Sequence, residues 1–99
     1  MTDLSFSHFC NWLKFRHLVL IDTLGRTRNM HLAAQQMNLS QPAISKMLKE
    51  IEHLLGFALF ERQPRSMPPT ALGEQVVRYA QVALNDARNF VDQIGSLRE

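Results

Sequence analysis

The segment Gln63-Pro64-Arg65-Ser66-Met67-Pro68-Pro69 sets the plan of this chain. It places three prolines in seven residues, and each proline removes an amide donor and crowds the preceding helical turn. No helix can run through it. Several short helical patterns precede it and one long pattern follows. Ninety-nine residues, 45% hydrophobic and 20% charged, fit one compact domain with an appendage and exclude a multidomain enzyme. The expected division is a mainly α domain over residues 1–69, with 1–13 as an N-terminal extension, and a helix over 70–99. A body this small buries a modest fraction of its surface, so a partner subunit is expected to share in stabilising it.

Apolar spacing locates the helices. Asp3 is a candidate cap for a short first helix in which Phe6, Phe9, Cys10 and Leu13 form one buried stripe. Lys14 to Leu24 follows, with Phe15, Leu18, Val19, Ile21 and Leu24 as core and Gly25 as the expected stop. Asn29 then caps a helix carrying Met30, Ala33, Ala34 and Met37, and Asn38-Leu39 makes a tight turn. Ser40 caps the next helix, with Pro42 tolerated in its first turn because those amides lack intrahelical acceptors. There Ile44, Met47, Leu48, Ile51, Leu54 and Leu55 fill one stripe, while Pro42, Ser45, Lys46, Lys49 and His53 fall on the other side. Gly56 ends it. Phe57 to Arg62 is expected to be a strand, and its returning partner around Ser66 to Thr70 must be brief, since Pro68 and Pro69 cannot donate to a ladder. From Thr70 to about Leu97 the chain reads as one helix of about 40 Å. Its heptad positions Val76, Ala83, Phe90 and Leu97, with Ala80, Ala87 and Ile94, suit a partner helix.

Charge is concentrated rather than large. The net value is +2, but residues 14–65 hold eight basic against four acidic side chains, and residues 66–99 hold three against four. The longest aliphatic run, Leu18-Val19-Leu20-Ile21, is far too short to span a bilayer, so a soluble, cytoplasmic protein is expected. Two helices joined by a tight turn, the second presenting Gln, Ser and Lys, followed by an arginine-bearing hairpin, describe a winged helix-turn-helix with a short two-stranded wing and a long C-terminal linker helix. Such a helix fits the major groove, where glutamine can pair with adenine and lysine can reach guanine or the backbone. Arg62 and Arg65 flank a turn suited to phosphates or the minor groove. Lys49 and His53 lie further along and are expected to face solvent or phosphate. Lys14, Arg16, Arg26 and Arg28 each read as surface residues, and whether one or two of them touch phosphate is left open.

The residues Ala33-Ala34, Leu39-Ser40-Gln41-Pro42-Ala43-Ile44-Ser45-Lys46 and Leu55-Gly56-Phe57-Ala58-Leu59-Phe60-Glu61-Arg62, with Thr70 and Gly73 beyond, resemble the N-terminal DNA-binding domain of LysR-type transcriptional regulators. The likeness covers residues 14–97. It implies a bacterial regulator that binds double-stranded DNA at an interrupted palindrome. The recognition helix would span about 41–55 in the major groove, with the wing, about 57–69, on the adjacent backbone or minor groove. The expected DNA-binding set is Asn29, Ser40, Gln41, Pro42, Ser45, Lys46, Lys49, Arg62 and Arg65. The linker helix would form a homodimer through Val76, Ala80, Ala83, Ala87, Phe90, Ile94 and Leu97; tetramer formation is left open. Members of this family continue into a ligand-sensing region, so this chain is expected to be a DNA-binding fragment that does not itself bind the small-molecule effector. The chain also departs from the family. Arg28-Asn29 replaces the usual Gly-Ser pair, Pro69 replaces an aliphatic residue and so disturbs wing pairing, and the lead-in before Lys14 is long. Lys14-Phe15-Arg16-His17-Leu18 after that lead-in is similar to the branch that includes regulators of aromatic-acid catabolism.

Other readings carry less. His8, His17, His31 and His53 show no close ligand spacing, so neither a metal nor a cofactor is expected. Cys10 reads as a small core residue rather than a redox sensor, and Trp12 and Phe6 as core. An enzyme is not expected, because paired acids, an activated nucleophile and a phosphate-cradling glycine loop are all lacking. A winged helix serving as a protein-interaction module would need an apolar recognition face, and this one is polar and basic.

Overall fold

A computed structural model describes residues 4–98, in which five helices run in the order α1 (Phe6–Trp12), α2 (Phe15–Thr27), α3 (Met30–Met37), α4 (Gln41–Leu55) and α5 (Ala71–Arg98). The core draws Leu20, Ile21 and Leu24 from α2, Ala33 and Ala34 from α3, and Ile44, Leu48, Ile51 and Leu55 from α4. Leu59, Phe60 and Met67 from the proline-rich segment and Ala80 and Leu84 from α5 complete it. The core therefore runs across the expected boundary at residues 69–70.

The first helix differs from its expected pattern. Asp3 lies outside the described residues, and the Ser5 hydroxyl caps α1 by accepting from the His8 amide at 3.1 Å. Phe9, Trp12 and Leu13 pack against the core, whereas Phe6 is 82% exposed and Cys10 is exposed. A helix of seven residues offers only two turns, and the i, i+3, i+4 stripe that meets the body is the one starting at Phe9. Phe6 and Cys10 are thus not core residues. Leu13 and Lys14 are extended and separate α1 from α2. The break is held by His17, whose Nδ1 accepts from the Lys14 amide at 2.9 Å and whose ring stacks on Trp12 at 4.7 Å. His17 is buried, and that burial, with Arg16 and Lys14 adding to it and Glu50 opposing, lowers its pKa below the ordinary histidine value. The ring is neutral near pH 7, as an accepting Nδ1 requires.

In α2 the buried side is His17, Leu18, Leu20, Ile21 and Leu24. Phe15 (63%) and Val19 (39%) are exposed instead of core, because they share one face, four residues apart, and the inward stripe lies on the opposite side of the helix. Gly25 does not stop the helix. It lies where α2 crosses α5, and a Cβ there would stand 2.7 Å from Val77 Cγ1. The helix continues to Thr27, and Arg28 ends it in the left-handed region at φ 52°.

The helix-turn-helix follows the sequence closely. Asn29 accepts from the Leu32 amide at 2.9 Å and opens α3. Asn38, at φ 58°, closes it, with the Leu39 amide bonded back to the Ala34 carbonyl at 3.0 Å. The Ser40 hydroxyl accepts from the Ala43 amide at 3.2 Å, Pro42 occupies the first turn of α4, and Gly56 ends that helix at φ 85°. A left-handed residue with no Cβ is the least strained way to stop there.

Between α4 and α5 the expected strand pair reduces to one antiparallel bridge, Phe60 with Pro69. The Glu61 amide bonds the Pro68 carbonyl at 2.8 Å and the Thr70 amide bonds the Leu59 carbonyl at 2.9 Å. Return bonds from residues 68 and 69 cannot form, since proline has no amide hydrogen. The Met67 amide leaves the ladder and donates to the Arg28 carbonyl at 2.8 Å, tying this wing to the α2–α3 turn. Glu52 Oε2 accepts from the Leu59 amide at 2.7 Å, tying it to α4. Thr70 starts α5 by accepting from the Gly73 amide at 2.9 Å while donating to the Ala58 carbonyl at 2.7 Å. Gly73 lies so close to the Leu59 carbonyl that no Cβ fits.

The heptad reading of α5 also needs correction. Ala80 is 0% exposed, packed in the core of its own chain, and is not available to a partner. Val76 and Ala83 are partly buried against the same core, Ala87 is half-buried, and Phe90, Ile94 and Leu97 are exposed. Leu72, Tyr79 and Val82 are exposed too, although the heptad count passed over them. Tyr79 meets Phe9 of α1 edge to face at 5.8 Å.

Candidate nucleic-acid interface

Most of the expected DNA-binding residues converge where the first turns of α3 and α4 face the wing. Two adjoining clefts lie there. One is lined by Arg28, Asn29, His31, Gln41, Gln63 and Arg65 among others, and the second by Gln41, Pro42, Ser45 and Arg62 with Met30 and Met67. Gln41 belongs to both. The architecture explains the convergence: the α3–α4 turn sets the two first turns side by side, and the bond from Met67 to Arg28 draws the wing against them.

The polar groups differ in what they have free. Ser40 and Asn29 spend a side-chain oxygen on capping, leaving the serine hydroxyl hydrogen and the asparagine amino group for another partner. Gln41 and Pro42 are exposed on the first turn of α4, Lys46 is exposed one turn on, and Ser45 is half-buried beside Arg62. At the wing tip the Gln63 amide bonds the Ser66 carbonyl at 3.1 Å, which holds Pro64 and Arg65 out at the surface. Lys49 does not join this group. It lines a separate groove with His8, Trp12, Glu50 and His53, between α1 and the later turns of α4.

Of the four outlying cations, only Arg28 lines the cleft beside Gln41. Arg26 is held by Asp22, four residues earlier, at 3.4 Å and lies with Gln81 and Asn85 on the α5 side. Lys14 and Arg16 flank Glu50 near the start of α2. Two members of the cleft were missed from sequence, His31 and Gln63. His31 approaches Gln41 from ten positions away, Nδ1 to Nε2 at 3.0 Å, and no local pattern announces that pairing. Among the described residues there is no grouping of three or more His, Cys, Asp or Glu fit to hold a metal ion, and no helix is long and apolar enough to cross a membrane.

Residues 15–74 match the family described as the bacterial regulatory helix-turn-helix protein, lysR family. The chain belongs to the LysR family. Its LysR-family relatives include the HTH-type transcriptional regulator GbpR of Azospirillum brasilense, 38% identical over 92 residues, covering 88% of this chain and 27% of that protein. PcaQ of Agrobacterium fabrum is 34% identical over 82 residues, covering 83% of this chain and 26% of that protein. The chain thus spans about a quarter of the length of these LysR-type regulators. Among solved structures, the CbnR_DBD–DNA complex superposes with a TM-score of 0.78 at 29% identity, covering 88% of this chain and all of that one. The BenM_DBD/benA site 1 DNA complex gives a TM-score of 0.82 over 88% of this chain and 98% of that one, at 24% identity, a likeness of fold. The mainly helical architecture is that of these LysR DNA-binding domains. The relatives are transcriptional regulators, a family that is not enzymatic.

Proposed function

We propose that this chain is the sequence-specific DNA-binding module of a homodimeric LysR-type transcriptional regulator. The first turns of α4 enter the major groove with Gln41, Ser45 and Lys46 toward base edges. Arg62 and Arg65 of the wing lie on the adjacent backbone or minor groove, and Asn29, Ser40 and Pro42 complete the contact. The observation that carries this reading is the cleft that joins Gln41 to Arg28, Asn29 and Arg65 across three separate elements. A solvated helix face would not draw a wing and a second helix onto one glutamine. Supporting it, a relative of the same fold is solved as a DNA complex.

The exposed Phe90, Ile94 and Leu97, with Ala87 at their edge, supply the homodimer seam on α5. Two equal recognition helices related by a two-fold axis then address an interrupted palindrome. In the intact regulator an effector acts through a region outside this chain, and the protein works in the cytoplasm at the nucleoid.

Selection of bound sites from random duplex DNA tests the reading. It should enrich two inverted half-sites at fixed spacing, and binding to them should weaken steeply as salt is raised. Enrichment of no sequence, or an affinity indifferent to salt, would count against it.

A further inference from the structure

We propose that His31, on the first turn of α3, is a positioning residue that decides which side of the Gln41 amide is offered to DNA. The inference rests on the assignment of Gln41 to base reading made above.

The geometry is specific. Gln41 Nε2 stands 3.0 Å from His31 Nδ1, and both residues are exposed. An amide nitrogen only donates, so in this pair the ring nitrogen accepts, as the tautomer with its proton on Nε2 allows. One Gln41 amide hydrogen is thereby engaged. The carbonyl Oε1 and the second amide hydrogen remain, side by side and held in direction. One acceptor beside one donor complements adenine, whose N6 amino group donates and whose N7 accepts. A free glutamine would rotate its amide and present either order; this one is fixed before DNA arrives.

The other ring tautomer, with its proton on Nδ1, would donate to the amide instead of accepting from it. The amide then turns about its last torsion so that Oε1 accepts from Nδ1–H, and both amino hydrogens face outward. Two donors complement guanine, which offers only the acceptors N7 and O6 on this edge. The charged side chains lining the same cleft are Arg28, from the end of α2, and Arg65, from the wing, and no carboxylate lines it. The two outward arrangements of one amide thus correspond to two different base pairs.

Binding to every single-base-pair variant of the selected half-site, measured for the wild-type chain, His31→Ala, His31→Asn, Gln41→Ala and the His31→Ala/Gln41→Ala double variant, tests this. Gln41→Ala should flatten preference at one position. His31→Ala should flatten the same position, by about tenfold, and add nothing to Gln41→Ala. His31→Asn places Oδ1 where Nδ1 was, so it should keep the adenine preference. The inference is overturned if His31→Ala weakens all sequences alike or adds fully to Gln41→Ala. If Gln41→Ala instead changes no position, the base-reading role of Gln41 fails first, a result that the histidine variants alone cannot produce.

Discussion

The two halves of α5 are one continuous helix with opposite surroundings. Over residues 71–84, Gly73, Ala80 and Leu84 are buried and Val76, Val77 and Ala83 are packed against the core, so this half is a wall of the DNA-binding body. Over residues 85–98 none is buried, and Phe90, Val91, Ile94 and Leu97 stand exposed. Small residues make the first half possible: Gly73 admits the Leu59 carbonyl, and on the facing helix Gly25 admits Val77. Large exposed apolar residues mark the second half, a surface suited to another molecule. One continuous helix thus leads from the DNA-binding body to the exposed apolar side chains on which the proposed dimer rests.

The strongest way to break this contrast is Gly73→Ala. A methyl group there collides with backbone rather than a flexible side chain, so α5 must shift away from the wing. The expected loss is about 3 kcal/mol, toward the upper end for overpacked sites, read as a lower urea midpoint with little change in slope. An unchanged midpoint would mean that the start of α5 is not clamped to the wing.

Phe90→Glu addresses the other half. It is expected to cost about 2 kcal/mol of association, roughly thirtyfold in the dimer dissociation constant, while the urea midpoint of the body holds. Sedimentation equilibrium gives the first quantity. A dimer of undiminished affinity would move the interface away from this half of the helix.

How much of this was legible in the sequence depends on whether a pattern was closed at both ends. From Ser40 to Gly56 every signal agreed: a capping serine, a proline in the first turn, a single apolar stripe and a glycine stop, and the structure follows each. In α1 and α2 periodicity identified helices but misjudged their faces, because Phe6, Phe15 and Val19 are as apolar as the residues that found a neighbour. The heptad count on α5 failed similarly. It gave Ala80 to a partner when α2 had already taken it, and it passed over the exposed Leu72 and Tyr79. Of the candidate site, the α4 residues and wing arginines were readable from local spacing. His31 was not, since its contact spans a turn and joins two helices.

Acid should also separate regions of the molecule. The pKa of His17 is lowered on folding, so its neutral form is the one that the buried stack on Trp12 stabilises. That stability is fully present above the unfolded value of about 6.5 and is lost as pH falls through the lower folded value. Urea midpoints should therefore fall on acidification, and His17→Phe, which keeps an aromatic ring but removes the titrating nitrogen, should fall less. Equal falls in both proteins would assign the acid sensitivity to other groups.

The smallest expected change is a gain. Gly95 has no heavy atom within 4 Å of where a Cβ would stand, so Gly95→Ala is free of collision and adds about 0.5–1 kcal/mol of helix propensity. Where that gain appears is more telling than its size. If the second half of α5 frays independently of the body in the monomer, as its lack of buried residues implies, the substitution should raise helical ellipticity at low concentration. It should also tighten dimerisation, because less ordering is then left to the moment of association. The urea midpoint of the monomeric body should stay where it was. A midpoint that rises by the full propensity gain would show instead that helix order at residue 95 is transmitted through Leu84 into the core, and the two halves of α5 would be one cooperative unit.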